Sequence, residues 1–155
     1  MPLRNPFRPL RRSAQGHTLV ELLIGLAVLA ILASAAAPSV ARAARSYSAW
    51  SAGRELRADL ALARSRAILD GGTARVLMDT LGPGYTIVGP AGEVLRRRIL
   101  GSGLLLRTTA ARQEVLFTAR GTSSLYSTTW VGRADDAGAR WHGARVAPTG
   151  VVTAL

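Results

Sequence analysis

The feature that most constrains this chain is an almost continuous apolar run, residues 22–41, directly preceded by one carboxylate, Glu21. A helix needs roughly 20 apolar residues to cross the hydrocarbon core of a bilayer, and this run has that length. Because a carboxylate beside such a segment is costly, its presence points to a function. The residues before it are rich in arginine and contain no acid. The positive-inside rule therefore predicts a cytoplasmic N-terminus.

Residues 16–21, with the sequence Gly-His-Thr-Leu-Val-Glu, resemble the cleavage and assembly signal of type IV prepilins and pseudopilins. The resemblance implies that a prepilin peptidase cuts between Gly16 and His17 and methylates His17, the new N-terminal residue. It also implies that Glu21 serves subunit assembly and that Pro38 bends the helix. The implied partners are the peptidase, other major and minor pseudopilins, and the inner membrane.

Two other interpretations of the N-terminus stay open. A basic start, an apolar stretch and the small residues 33–35 would also suit a secretory signal peptide. A plain signal anchor without an assembly role is the second alternative. Glu21 argues against both, because a carboxylate interrupts the apolar region of a signal peptide and has no partner in a simple anchor.

A helical pattern continues beyond the apolar run. Apolar residues recur at spacings of four, three and four on one face: Leu56, Leu60, Ala63 and Ala67. A glycine pair at 71–72 is typical of a helix C-terminus. The sequence therefore predicts one helix over residues 18–70, bent near Pro38, with Leu56, Leu60 and Ile68 buried against a sheet.

After the glycine pair, short β-rich segments alternate with turn residues. The predicted strands are residues 73–79, 85–88, 93–99, 104–108, 114–118, 128–131, 140–146 and 151–154. Residues 135–138, Asp-Asp-Ala-Gly, predict a hairpin turn. The predicted fold class is α+β and type IV pilin-like: a long N-terminal helix packed on a small antiparallel β-sheet domain.

The predicted domain organisation has four parts. Residues 1–16 form a cleaved basic leader, and residues 17–41 form the transmembrane and assembly helix. Residues 42–72 are the amphipathic continuation of that helix. Residues 73–155 are a β-rich domain on the periplasmic or extracellular side of the inner membrane. The mature protein first resides in the inner membrane and then moves into a pseudopilus or pilus.

A narrower resemblance covers three short motifs. Residues 60–68 with the following glycine pair are similar to the Ala-Arg…Ala-Ile…Gly pattern that ends the long helix in the GspH/FimT group. Residues 117–121 resemble its Phe-x-x-x-Gly turn, and Gly150 resembles its C-terminal glycine. The resemblance implies a minor pseudopilin of a type II secretion system. The alternative is a minor type IV pilin for pilus assembly or DNA uptake.

Residues for catalysis are scarce. The two histidines, His17 and His142, stand apart, and a lone histidine is more often a surface or packing residue. The adjacent Asp135 and Asp136 are typical of a turn. There is no cysteine and no metal-ligand, phosphate-loop or catalytic-triad spacing. We therefore predict a protein that is not an enzyme and that uses no metal or cofactor.

Three consecutive arginines, Arg96, Arg97 and Arg98, are the densest positive charge in a chain of net charge +11. Alternation along a strand predicts that Arg96 and Arg98 share one face and Arg97 the other. One interpretation is a solvated edge that discourages sheet association. The other is an anion contact, with DNA or a partner subunit. DNA is not favoured, because no arginine follows Gly150, whereas some FimT members bind DNA through arginines there.

Overall fold

A computed structural model describes residues 18–133 and 140–155. Its one long helix, α1, covers Leu19–Leu69 and contains Pro38. Just past the end of the helix lies Gly71, whose positive φ of 65° lets the chain turn. The amide of Gly72 then donates to the carbonyl of Ala67 at 3.1 Å, as in a Schellman motif. The predicted glycine stop is therefore confirmed.

Within residues 18–133 and 140–155, eight strands follow the helix, each within two residues of its predicted bounds. They are β1 (Ala74–Asp79), β2 (Gly84–Val88), β3 (Val94–Ile99), β4 (Leu104–Thr108), β5 (Glu114–Phe117), β6 (Ser127–Arg133), β7 (His142–Val146) and β8 (Val152–Ala154). A short 3-10 turn, Ala111–Gln113, precedes β5. The predicted α+β fold, a long helix with antiparallel strands, is confirmed.

The strands form two antiparallel sheets of four rather than one. The first sheet has the order β3-β2-β1-β5, and the second sheet has the order β4-β6-β7-β8. The hairpin turn predicted at residues 135–138 lies outside the described residues. The division into two sheets was not predicted, because the sequence pattern marks strands but not which strands pair.

The chain divides after Val40 into two units. In the first unit, every described residue is exposed. In the second, one core combines the buried face of α1 with both sheets. Its largest fully buried apolar side chains are Leu56, Leu60, Val76, Ile87, Phe117, Val131 and Val146. The predicted burial of Leu56 and Leu60 is confirmed, since both are fully buried.

The prediction for Ile68 was wrong, because this side chain is 47% exposed. Successive helical residues are about 100° apart, and it is the preceding residue, Ala67, that faces the core. Ile68 instead lies at the rim of the buried face, beside the turn that contains Gly121.

Candidate functional site

The start of α1 places Glu21 in the first helical turn. The side-chain oxygen of Thr18 accepts a hydrogen bond from the Glu21 amide at 3.2 Å, so Thr18 caps the helix. Threonine followed three residues later by glutamate is the sequence pattern of a capping box, so the sequence itself carries a signal for this helix start. A carboxylate in this turn is also favoured by the positive end of the helix dipole. Gly16 and His17 lie outside the described residues.

The helix segment that follows Glu21 is apolar on all sides. In the part of the chain that the structure describes, one helix is long and apolar enough to cross a membrane. Its most apolar window has a mean hydropathy of 2.5, and no residue of that window is buried. A helix that is hydrophobic all round is stable only inside a membrane or a larger assembly. Pro38 lies within α1. Its ring removes one backbone hydrogen bond, but the predicted bend there stays a prediction.

A buried carboxylate, Asp59, connects α1 to the first sheet. Asp59 is 1% exposed on the core-facing side of the helix. It accepts hydrogen bonds from the Tyr85 hydroxyl at 2.8 Å, from Arg96 Nη1 at 2.6 Å and from Arg98 Nε at 3.1 Å. Arg98 Nη1 also lies 3.2 Å from Oε2 of Glu55, which precedes Asp59 by one turn of α1. We call these five residues the Asp59 cluster.

Strand alternation explains why two arginines of the triplet join this cluster. Arg96 and Arg98 lie two apart on β3, an edge strand of the first sheet, so both face α1. Arg97 is exposed. The predicted separation of faces therefore holds, and the anion that Arg96 and Arg98 contact is Asp59 of the same chain. An anion contact outside the chain stays a prediction.

The cluster perturbs two of its own groups. Burial raises the pKa of the Tyr85 hydroxyl well above its ordinary value, and the hydrogen bond to Asp59 raises it further. The hydrogen bond to Asp59 raises the pKa of Arg98. Asp59 was not among the predicted site residues, because aspartate is seldom buried and is more often a solvent-exposed residue of a helix. Asp59 lies three residues after Leu56, and residues three apart share a helix face, so this spacing was the available signal of a buried position.

The three motifs of the narrower resemblance meet at one place. Arg64 Nε donates a hydrogen bond to the carbonyl of Gly121 at 2.9 Å. Gly121 and Gly150 both have positive φ, at 74° and 76°. A Cβ on Gly150 would lie 1.7 Å from the Gly121 carbonyl oxygen, so no larger residue fits. The arrangement joins the end of α1, the turn after β5 and the C-terminal segment.

The described residues offer no metal site, since they contain no group of three or more potential ligands. His142, at the start of β7, packs against α1. A Cβ on Gly53 would lie 2.7 Å from the His142 Cβ, so the glycine permits this close approach. His142 thus has a packing role.

Two family models match the sequence. The model described as the prokaryotic N-terminal methylation motif matches residues 11–37, which include the Gly16–Glu21 junction. The model described as type II transport protein GspH matches residues 52–150, more than half of the chain. No curated protein is significantly similar to the chain in sequence.

Solved structures share the fold. The type IV minor pilin FimU of Pseudomonas aeruginosa, at 25% identity and a TM-score of 0.55, is matched over 69% of this chain and 87% of that one. The minor pseudopilin EpsH from the type 2 secretion system of Vibrio cholerae, at 17% identity, matches with a TM-score of 0.58. That alignment covers 69% of this chain and 95% of EpsH, and at this identity it shows the fold alone.

Proposed function

Since the chain belongs to the family of type II transport protein GspH, we propose that it is a minor pseudopilin of a type II secretion system. In this role it assembles into the pseudopilus that drives protein export. The observation that carries the proposal is the exposed apolar segment of α1 with a single carboxylate in its first turn, joined to a domain that matches the family model. The family's members are structural subunits, and we propose that this chain likewise is not an enzyme.

Processing is the first step of the proposed function. We propose that prepilin peptidase removes residues 1–16 on the cytoplasmic side of the inner membrane and methylates His17. The match of residues 11–37 to the methylation motif supports this step. Residues 17–41 then anchor the protein in the membrane, while residues 42–72 and 73–155 lie on the periplasmic side.

Assembly is the second step, and Glu21 carries it. After cleavage the new amine of His17 lies about one helical turn from Glu21. In the filament we propose that Glu21 meets the N-terminal amine of a neighbouring subunit. The low dielectric of the membrane strengthens such a contact. A subunit in the wrong register would leave a charge unpaired there, which is costly. The apolar side chains of residues 22–37 supply the packed helices around it.

Substitution at Glu21 tests this role. Glu21→Ala and the isosteric Glu21→Gln should enter the membrane and be cleaved like the parent, yet fail to co-purify with partner pseudopilins. Asp70→Asn, which neutralises an exposed acid just past the end of α1, is the matched control and should co-purify normally. Parental co-purification of both Glu21 variants, with secretion intact, would refute the assembly role.

Substitution at Gly16 tests processing separately. Gly16→Leu should leave the full-length precursor in the membrane, because the peptidase needs the small residue before the cut. N-terminal mass analysis of the parent should find a mature chain that begins at methylated His17. A mature start near Ala36 would instead indicate an ordinary secretory signal.

The second candidate is a minor type IV pilin for pilus assembly or DNA uptake, and the similarity to FimU favours it. DNA binding receives less support from the arginine triplet, because Arg96 and Arg98 already bind Asp59. Retention of the purified protein on immobilised DNA at rising salt separates the two functions, since phosphate contacts weaken steeply with salt. Retention that persists at physiological salt and disappears in Arg97→Glu would favour the pilin with a DNA-binding role.

A further inference from the structure

The outer face of the second sheet carries an aromatic and cationic cluster. Arg107 on β4 is paired directly with Trp130 on β6. Trp141 directly precedes β7 and lies beside them. The three side chains line an open cavity of about 330 Å³. We call this surface the Arg107–Trp141 face.

Specific local contacts build this face. The Arg107 guanidinium lies over the Trp141 ring, 4.6 Å from its centroid. Gly132 makes room for that ring, because a Cβ there would lie 2.5 Å from Trp141 Cδ2. Trp130 and Trp141 are both half-buried, so each keeps part of its ring accessible. The face is thus preformed, and little side-chain entropy remains to be lost when a ligand binds.

Arginines of the first sheet and two arginines of the second sheet contact different kinds of group. In the first sheet, arginines contact carboxylates: Arg75 with Glu114, and Arg96 and Arg98 with Asp59. The described strands of the second sheet contain no acidic residue, and two of their arginines lie against aromatic rings. Arg107 lies on Trp141, and Arg145 lies 5.7 Å from the centroid of Tyr126. Stacking on a ring leaves the in-plane N–H groups of a guanidinium able to bind a carboxylate in bidentate fashion.

We propose that the Arg107–Trp141 face docks a neighbouring subunit of the same filament, through a segment that presents a carboxylate beside an apolar side chain. The inference rests on the proposed function and names one contact surface for it. The carboxylate binds Arg107, and the apolar side chain enters the cavity between the tryptophans. Tryptophan and arginine are the residues that most often dominate protein–protein binding energy. Nucleic acid is less well suited, since so few cations on the face allow few phosphate contacts.

Co-purification from membranes tests the proposal with the full-length chain. The tagged chain is produced together with the other pseudopilins of its organism, solubilised in detergent, and the recovery of each subunit is measured by immunoblot. Arg107→Glu and Trp130→Ala should each lower the recovery of one particular subunit about tenfold or more. The matched control is Arg120→Glu, which reverses an exposed arginine in the turn after β5 and should leave recovery unchanged.

The Glu21→Ala variant separates this inference from the proposed function. Loss of subunits with Glu21→Ala but not with Arg107→Glu would overturn the docking face and leave the assembly role intact. Parental recovery with both variants, or no subunit recovered by the parent, would overturn both. The same proteins are titrated with a fluorescent single-stranded oligonucleotide. If Arg107→Glu abolishes that binding while subunit recovery is unchanged, the face binds nucleic acid and the proposal is wrong.

Discussion

Removal of the charge on Asp59 should destabilise the globular part of the chain far more than its single-atom change suggests. Asp59→Asn keeps the shape of the side chain but places an amide where Tyr85, Arg96 and Arg98 now donate three hydrogen bonds. One of the new amide's two polar atoms is itself a donor, so at least one of these contacts becomes donor against donor. The Tyr85 hydroxyl, in a residue only 2% exposed, has little access to water as a replacement.

The magnitude follows from how exposed the partners are. Removal of one member of a fully buried ion pair costs about 3–5 kcal/mol, because the other charge is left unpaired. Here the side chains of Arg96 and Arg98 are 44% and 37% exposed, so water can solvate them in part. We therefore expect a loss of about 2–4 kcal/mol in the free energy of unfolding. For a domain of this size that lowers the melting temperature by about 8–16 °C.

Thermal unfolding of residues 41–155, followed by circular dichroism at neutral pH, measures this loss. Glu55→Gln is the matched control: it lies one turn earlier on the same helix and contacts the same Arg98, but its side chain is 49% exposed. Exposed pairs contribute about 0–1 kcal/mol, so this control should melt close to the parent. If Asp59→Asn melts no lower than Glu55→Gln, the cluster does not stabilise the helix on the first sheet.

Three further predictions concern stability. Because burial raises the pKa of Tyr85, the folded chain keeps this hydroxyl protonated at a pH where the unfolded chain already ionises, near pH 10. Above that pH the free energy of unfolding should therefore fall by up to about 1.4 kcal/mol per pH unit. Urea unfolding between pH 9 and 11 should show that the free energy of unfolding falls less steeply with pH in Tyr85→Phe than in the parent. Equal slopes would contradict the raised pKa of Tyr85, and the chain has no lysine that would titrate in the same range. Gly150→Ala should lower the free energy of unfolding several times more than Gly92→Ala, which should lower it by roughly 1–2 kcal/mol. Both glycines have positive φ, but only at Gly150 would the added Cβ also meet a carbonyl oxygen. Similar melting temperatures of the two variants would count against that contact. Leu60→Asp should prevent folding of residues 41–155, whereas Ile68→Asp should be tolerated, and comparable damage from both would mean that Ile68 is a core residue after all.

Local signals in the sequence were sufficient for the secondary structure and the N-terminal signal. Helix periodicity, the glycine pair and the turn residues each act over a few neighbouring residues, so α1 and all eight strands could be predicted to within two residues. The apolar run with Glu21 depends only on composition and order along the chain. The family matches at residues 11–37 and 52–150 agree with both motif resemblances.

Only the tertiary structure decided which residues from distant segments meet. The pairing of strands into two sheets, the approach of Arg96 and Arg98 to Asp59, and the contact of Arg64 with Gly121 join residues that are far apart in the chain. A strand pattern states which residues share a face but not what lies opposite that face, so the arginine triplet was open to several partners. Likewise, the stacking of Arg107 on Trp141 depends on a strand register that places Gly132 beneath the ring. Such contacts are set by packing of the whole domain, and a single sequence carries no local record of them.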